Sequence, residues 1–147
     1  MTWPDAVAGA RGAVVADAVS PDLGARAVAC KGWRWMAGMR LKDGDLVVSR
    51  RGDGAPIACS PAVLFGEFPT SREGALPDLT DPATLGCLLA LVREAWGEPN
   101  LGAYYSASLE GWICAGCRHN GSWCRPRKFR VYPTEAAALV AALEAAP

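Results

Sequence analysis

The segment TDPATLGCLLALVREAWGEP, at residues 80–99, constrains the fold of this chain more than any other. Asp81 is a favourable N-cap, Pro82 suits the first helical position, and Gly97 is a typical helix end. Apolar residues between them recur at spacings of three and four and form one stripe: Leu85, Leu88, Leu89, Val92 and Trp96. Two charged residues are expected on the solvent-exposed face of the helix: Arg93 and Glu94. The pattern predicts an amphipathic helix over 82–96 that packs in a core.

Helices are also predicted at both ends of the chain. Thr134 is placed to cap the segment EAAALVAALEAA, which predicts a C-terminal helix over about 135–146. Its apolar side chains form a narrow stripe: Leu139, Val140 and Leu143. The N-terminal region, residues 3–30, is predicted to be helical. It contains a small-residue helix over 4–18 and a second helix that begins at the cap signal SPD and ends before Gly32.

Segments rich in β-branched or alternating residues predict strands between these helices. LVVSR and PIAC are joined by a turn, and LGAYYSAS, GWICAG and SWCRPRKFRVY form a meander with a hairpin turn at Asn120 and Gly121. Pro126 confines the last strand to an edge or a bulge. Residues 60–80 are predicted to be a long loop without secondary structure. We therefore expect one α+β domain over 1–147, with N-terminal helices and an antiparallel sheet packed against the central and C-terminal helices.

Composition excludes several classes of protein. A chain of 147 residues, 51% apolar and 20% charged, is typical of one globular domain and not of a disordered protein. The 15 basic residues balance 15 acidic residues, so no net charge attracts the molecule to nucleic acid or anionic lipid. The N-terminal sequence lacks a basic leader, and no segment has about 18 consecutive apolar residues. These features predict a cytoplasmic protein with no membrane partner.

The segment GWICAGCRHNGSWC brings three cysteines and the chain's only histidine together. They are the candidate metal ligands: Cys114, Cys117, His119 and Cys124. The two-residue gap between the first two cysteines is that of a zinc knuckle, but a strong zinc signal is a pair of such knuckles. The alternative is a β-hairpin in which cysteine serves as a small apolar residue. We favour the hairpin and expect no cofactor, with zinc as the alternative.

Two clusters of basic and aromatic side chains are the candidate ligand-binding residues. The first contains two tryptophans on either side of an arginine: Trp33, Arg34 and Trp35. The second is a segment of basic residues and one tryptophan that contains no acidic residue: Arg118, Trp123, Arg125, Arg127, Lys128 and Arg130. Arginine binds phosphate through two parallel hydrogen bonds and aromatic rings stack on bases, so both clusters suit a nucleotide or a nucleic-acid backbone. The alternatives are core positions for the tryptophans and a solvated edge strand for the second cluster.

The sequence does not contain a recognisable set of catalytic residues. A nucleophile needs a base within hydrogen-bond reach and a third group that orients the base, and the only histidine lies in a predicted turn. A redox CxxC motif belongs beside a βαβ unit, which the pattern does not predict. We therefore expect a protein that is not an enzyme.

Three segments, GWRWMAGMR, LPDLTDPATLGCLLALVREAWG and PTEAAALVAALEAA, resemble those of small accessory proteins of tailed phages and prophages. The resemblance covers about two thirds of the chain, in the same order. It implies a protein that acts in the cytoplasm of an infected bacterium. This family has no established chemistry, so the resemblance transfers no catalytic residue, and the cysteine-rich hairpin departs from its pattern.

Three functions from different classes agree with these observations. The first is a non-enzymatic counter-defence protein of a phage, which inhibits a host immune protein or sequesters a nucleotide signal. The second is a nucleic-acid-binding regulator, with or without zinc in its hairpin. The third is a structural or morphogenetic phage protein. We favour the first, and expect a homo-oligomer because binding proteins of this kind often form pockets between protomers.

Overall fold

A computed structural model of the chain describes residues 23–61, 68–117, 123–124 and 130–147. Three helices lie in these ranges: α1 Leu23–Ala29, α2 Pro82–Trp96 and α3 Glu135–Glu144. The first antiparallel sheet contains β1 Leu46–Arg50, β2 Pro56–Cys59 and β3 Thr70–Ser71, in that order. The second contains β4 Leu101–Ser106, β5 Gly111–Cys117 and β6 Trp123–Cys124, also in that order. The predicted α+β class is confirmed.

Some predicted elements lie outside the described residues. They are the helix over 4–18, the SPD helix start and the turn at Asn120 and Gly121. Within the described ranges, no helix has the length and apolar character needed to span a membrane.

The ends of α2 confirm the capping signals in the sequence. The Asp81 carboxylate accepts a hydrogen bond from the Thr84 backbone N–H at 2.8 Å. Pro82 occupies the first helical position. Gly97 ends the helix with φ 61°, a left-handed conformation that glycine adopts without a steric penalty. The helix therefore begins and ends where local chemistry dictates.

The buried stripe of α2 differs from the predicted stripe at its C-terminal end. The buried apolar residues are Leu88, Leu91 and Val92, whereas Leu85 and Leu89 are only half-buried. Trp96 is 42% exposed and donates its indole N–H to the Ala142 carbonyl at 2.8 Å, so its placement in the core was wrong. Arg93 is partly buried because its Nε donates to the Leu101 carbonyl at 2.7 Å. Contacts with α3 and β4 decide these positions.

Helix α3 occupies the centre of the fold. It contacts α1, α2, β4 and β5, so it is buried over most of its surface. Six of its residues are buried: Ala136, Ala137, Ala138, Leu139, Val140 and Leu143. The predicted narrow stripe was therefore too narrow, because alanine side chains let neighbouring elements approach the helix on several sides. Thr134 caps the helix as predicted, accepting from the Ala137 N–H at 3.1 Å.

A buried polar network joins α2 to the chain segment before β1. Thr84 is fully buried, and its hydroxyl accepts from the Arg40 N–H at 2.8 Å and donates to the Asp81 carboxylate at 2.9 Å. The Arg40 guanidinium lies 3.5 Å from the same carboxylate. The network holds an apolar cluster against the helix that includes Trp35, Met39, Leu41 and Val47.

Residues 60–80 contain more structure than the prediction of a featureless loop. Strand β3 pairs with β2, and the Arg72 N–H donates to the Pro56 carbonyl at 2.9 Å. Buried Pro77 forms an isolated bridge with Leu41. The local sequence has no strand pattern, because these pairings depend on the free edge of β2 and not on local propensity.

Candidate functional site

Three aromatic residues lie next to one another across the second sheet. Tyr105 on β4 is paired directly with Trp112 on β5, and Trp112 is paired in turn with Tyr132. Directly opposed residues of antiparallel strands point to the same face, with Cβ atoms about 4.5 to 5.5 Å apart. Tyr105, Trp112 and Tyr132 therefore form one row on one face, which we call the aromatic row.

The aromatic row becomes more exposed toward the edge of the sheet. Trp112 and Tyr132 are half-buried, whereas Tyr105 is 59% exposed. The Tyr105 and Trp112 rings meet edge to face, with centroids 5.9 Å apart and planes at 70°. Such a contact holds both rings in defined orientations. Tyr132 packs against the core, so the outer part of the row, Tyr105 and Trp112, offers a partly ordered apolar surface on which a planar ligand can stack.

Charged residues lie at the inner end of the row. Burial raises the pKa of the Tyr132 phenol, the positive charges of Arg130 and Arg26 lower it, and the negative charge of Glu144 raises it. Arg130 is exposed, so its guanidinium is accessible to a ligand. The inner end of the row thus combines a protonated phenol with cationic groups.

An open groove of about 520 Å³ lies between the C-terminal ends of α1 and α3. Its walls include Cys30 and Lys31 from α1's end and Leu143 from α3. Arg26 and Glu144 close one side through two parallel hydrogen bonds of 2.9 and 2.8 Å. Both of these charges also act on the pKa of Tyr132.

The Arg26–Glu144 pair is expected to contribute a small, pH-dependent stability. Replacing Glu144 by glutamine should lower the free energy of unfolding by less than about 1 kcal/mol at neutral pH, because both side chains are partly exposed. The hydrogen bond from Arg26 lowers the pKa of Glu144, so the carboxylate stabilises the fold fully above the ordinary glutamate pKa of about 4.3 and loses this effect as pH falls through the folded value. Urea denaturation of both proteins should show a difference at neutral pH that shrinks in acid. A difference that stays constant from neutral pH into acid would contradict this assignment.

The first predicted cluster is divided between the core and a helix surface. Trp35 is 6% exposed and belongs to the core, and its ring meets that of Trp33 edge to face at 5.3 Å. The Trp33 indole N–H is buried without a partner among the described residues. Arg34 donates two hydrogen bonds, of 2.8 and 2.5 Å, to the Glu94 carboxylate on α2. Arg34 thus already binds a carboxylate of the protein itself.

Most of the second predicted cluster lies outside the described residues: Arg118, Arg125, Arg127 and Lys128. Trp123 belongs to β6, whose backbone pairs with β5. Arg130 is described and lies beside the second sheet. The structure therefore places Arg34 against α2 and Arg130 near the aromatic row, in different parts of the fold.

The candidate metal ligands fall mainly on strands. Cys114 and Cys117 both belong to β5, as the hairpin interpretation predicts, and Cys124 belongs to β6. His119 lies outside the described residues. Cys114 packs against the core, and burial raises the pKa of its thiol to about 11. Over the ranges that the structure describes, no group of three or more potential ligands is arranged around a common point.

Sequence reasoning missed Tyr105 and Trp112 as site residues. The sequence predicts the β4–β5 hairpin with a strand that continues to residue 108, whereas the structure ends β4 at Ser106 and closes the hairpin with a four-residue turn over 107–110. Counting outward by one residue on each strand pairs Tyr105 with Trp112. The third member, Tyr132, joins the row through a pairing that its flanking sequence does not specify.

No protein-family model, curated protein or solved structure matches this chain. Its function is therefore inferred from the aromatic row and from the charges around it.

Proposed function

We propose that the protein is a non-enzymatic binding protein that holds a nucleotide on the aromatic row. In the phage setting that the sequence resemblance implies, this activity sequesters a nucleotide signal of host defence. The observation that carries the proposal is the alignment of Tyr105, Trp112 and Tyr132 on one face, with an exposed ring at the outer end and Arg130 near the inner end.

Each part of a nucleotide has a suitable partner near the row. A base stacks on an aromatic side chain with about 1 to 3 kcal/mol, whatever its identity, because every base has a π-face. The exposed Tyr105 and half-buried Trp112 offer such faces. A phosphate is attracted by Arg130, which lies two residues before Tyr132 in the chain. Because the molecule has no net charge, this attraction is local.

The protonation states near the row favour binding over covalent chemistry. A nucleophilic cysteine must be a thiolate, and the pKa of about 11 keeps Cys114 protonated at neutral pH. The raised pKa of Tyr132 likewise keeps its phenol protonated, as a hydrogen-bond donor. Neither group is therefore in its reactive, deprotonated form at neutral pH.

Replacing Tyr105 by alanine is expected to weaken nucleotide binding by between about fivefold and a hundredfold, which is the loss of one stacked ring. Isothermal titration calorimetry with cyclic mononucleotides and cyclic dinucleotides measures the effect. Tyr104→Ala is the matched control, because Tyr104 is also exposed but lies one residue along β4 and so on the opposite face. The control should bind like the natural protein.

The same titration separates the alternative functions. Binding of no cyclic nucleotide, or equal losses in the two tyrosine variants, would refute the assignment of the row. Tight binding of a single-stranded oligonucleotide in its place, with affinity that falls steeply as salt rises, would favour the nucleic-acid-binding regulator. Binding to neither, together with capture of a host immune protein, would favour the inhibitor form of the counter-defence function.

A further inference from the structure

The outer edge of β4 carries backbone groups that β5 does not use. Leu101 shows the direction: its N–H donates to the Glu98 carbonyl at 3.2 Å, and its carbonyl accepts from Arg93 Nε at 2.7 Å. Both groups thus point away from β5. In an antiparallel pair both backbone groups of a residue point to the same side, and the side alternates along the strand. Ala103 and Tyr105 should therefore point outward as well.

A second observation on β5 agrees with this direction. Trp112, which lies opposite Tyr105, exchanges both of its backbone hydrogen bonds with Tyr132, at 2.6 and 2.8 Å. The backbone N–H and carbonyl of Trp112 therefore form no hydrogen bond with Tyr105. The N–H and carbonyl groups of Ala103 and Tyr105 consequently face the open edge, and no hydrogen bond reaches them from other residues that the structure describes.

Strand β4 lacks the devices that usually protect an edge. Its sequence, LGAYYS, contains no charged residue and no proline, and both of its tyrosines are exposed. Native edge strands commonly carry lysine, proline or a bulge that prevents pairing with another chain. Among the residues that the structure describes, none adds a strand to this edge of β4.

We propose that this edge pairs with β4 of a second copy of the chain, antiparallel and around a two-fold axis at Tyr104. In this register Ala103 of each copy faces Tyr105 of the other, and all the outward N–H and carbonyl groups of these residues form hydrogen bonds. Tyr104 faces its own counterpart. The result is a continuous sheet that joins β4–β6 of both copies.

The register follows from the ends of the strand. Leu101 is already occupied by Arg93 and Glu98, and the turn at 107–110 ends the strand on the other side. Only pairing centred on Tyr104 uses every open group of both copies. A second copy also fits electrostatically, because the molecule has no net charge and β4 carries none. This self-complementarity favours a second copy over an unrelated strand.

The dimer does not depend on nucleotide binding, but it has a consequence for it. A two-fold axis perpendicular to the sheet keeps corresponding faces on the same side. The aromatic rows of both copies then lie on one surface, with the two Tyr105 residues near its centre.

Sedimentation velocity across a range of protein concentrations tests the proposal. The natural chain is expected to show a reversible monomer–dimer equilibrium. Ala103→Pro removes an outward N–H from each copy while leaving the pairing with β5 intact, since proline is tolerated where an edge N–H faces solvent. It should raise the dimer dissociation constant at least about tenfold, because it removes two of the inter-copy hydrogen bonds.

A second variant keeps the test decisive if Ala103→Pro does not fold. Tyr104→Lys places two like charges directly opposite each other at the axis and should also give a monomer. Val48→Lys adds the same charge at an exposed position of β1 and should leave the dimer unchanged. Hydrogen exchange of the β4 amides should slow as concentration rises in the natural chain and in Val48→Lys only. A natural chain that stays monomeric at high concentration, or a dimer that persists in both β4 variants, would overturn the proposal.

Discussion

Replacing Leu139 by alanine is expected to lower the free energy of unfolding by about 3 kcal/mol, the largest effect we expect of any single substitution considered. Leu139 is fully buried in α3, the helix that contacts α1, α2, β4 and β5. The shorter side chain leaves a cavity in the core, and the elements packed around α3 limit how far the fold can collapse to fill it. Guanidinium denaturation at neutral pH measures the change, and the midpoint of thermal unfolding should fall by about 6 to 12 °C.

Leu109→Ala is the matched control for this prediction. The same atoms are removed, but from a half-buried residue in the turn between β4 and β5, outside the main core cluster. The control should lose about 1 kcal/mol or less. Equal losses in the two variants would mean that α3 does not hold the centre of the core.

The buried Thr84 hydroxyl is expected to give the second largest effect, a loss of about 2 to 3 kcal/mol in Thr84→Val. Valine has almost the same shape, so the core stays filled. The substitution leaves the Arg40 N–H without its acceptor and removes one donor from the Asp81 carboxylate. An unpaired buried donor loses the water that solvates it in the unfolded chain and gains nothing in return, which is why the loss exceeds that of an exposed hydrogen bond.

Thr84→Ser separates the hydroxyl from the methyl group. It keeps both hydrogen bonds and removes one methyl, so it should cost about 1 kcal/mol or less. The pKa of Asp81 gives an independent readout. Hydrogen bonds from Thr84 lower this pKa, the backbone N–H most strongly, and Thr84→Val should raise it toward the ordinary value while Thr84→Ser should not. An NMR titration of Asp81 that shows the same pKa in all three proteins would contradict the network.

Asp81 also determines how the stability depends on pH. Because its pKa is lowered in the folded state, its carboxylate contributes stability above the ordinary aspartate pKa of about 3.9, and this contribution is lost as pH falls through the folded value. Thr84→Val should therefore lose less stability than the natural chain between neutral pH and acid. Neither of the two substitutions with the largest effects changes a residue of the aromatic row, so stability and ligand binding are tested with different variants.

The elements with strong local signals were predicted correctly from the sequence. Asp81, Pro82 and Gly97 set the bounds of α2, because capping and the left-handed end are satisfied within a few residues of chain. Strands β1 and β2 and the hairpin β4–β5 also matched, since their pairing is local and their turns are short. The α+β class follows from the order of these elements.

The candidate site was predicted less well. The sequence predicted Arg34 and Trp35 as ligand-binding residues because basic and aromatic residues alternate in this segment. The structure instead pairs Arg34 with Glu94, sixty positions away, and places Trp35 in the core. The aromatic row depends on the pairing of Trp112 with Tyr132, which closes across a segment of twenty residues. The sequence shows which side chains can bind a ligand, but it does not show which of them lie close together in the fold.

The sequence alone determined where α2 begins and ends, where α3 is capped, that β1–β2 and β4–β5 form hairpins and which residues are apolar enough for a core, because these properties arise from interactions over a few neighbouring residues. The tertiary structure decided which side of each element is buried. It made Trp96 a surface contact of α3, gave Thr84 a backbone partner on Arg40, ordered part of 60–80 as an added strand and aligned three aromatic rings on one sheet. These outcomes depend on contacts between residues far apart in the chain, where the free energy of packing and buried hydrogen bonds outweighs local preference.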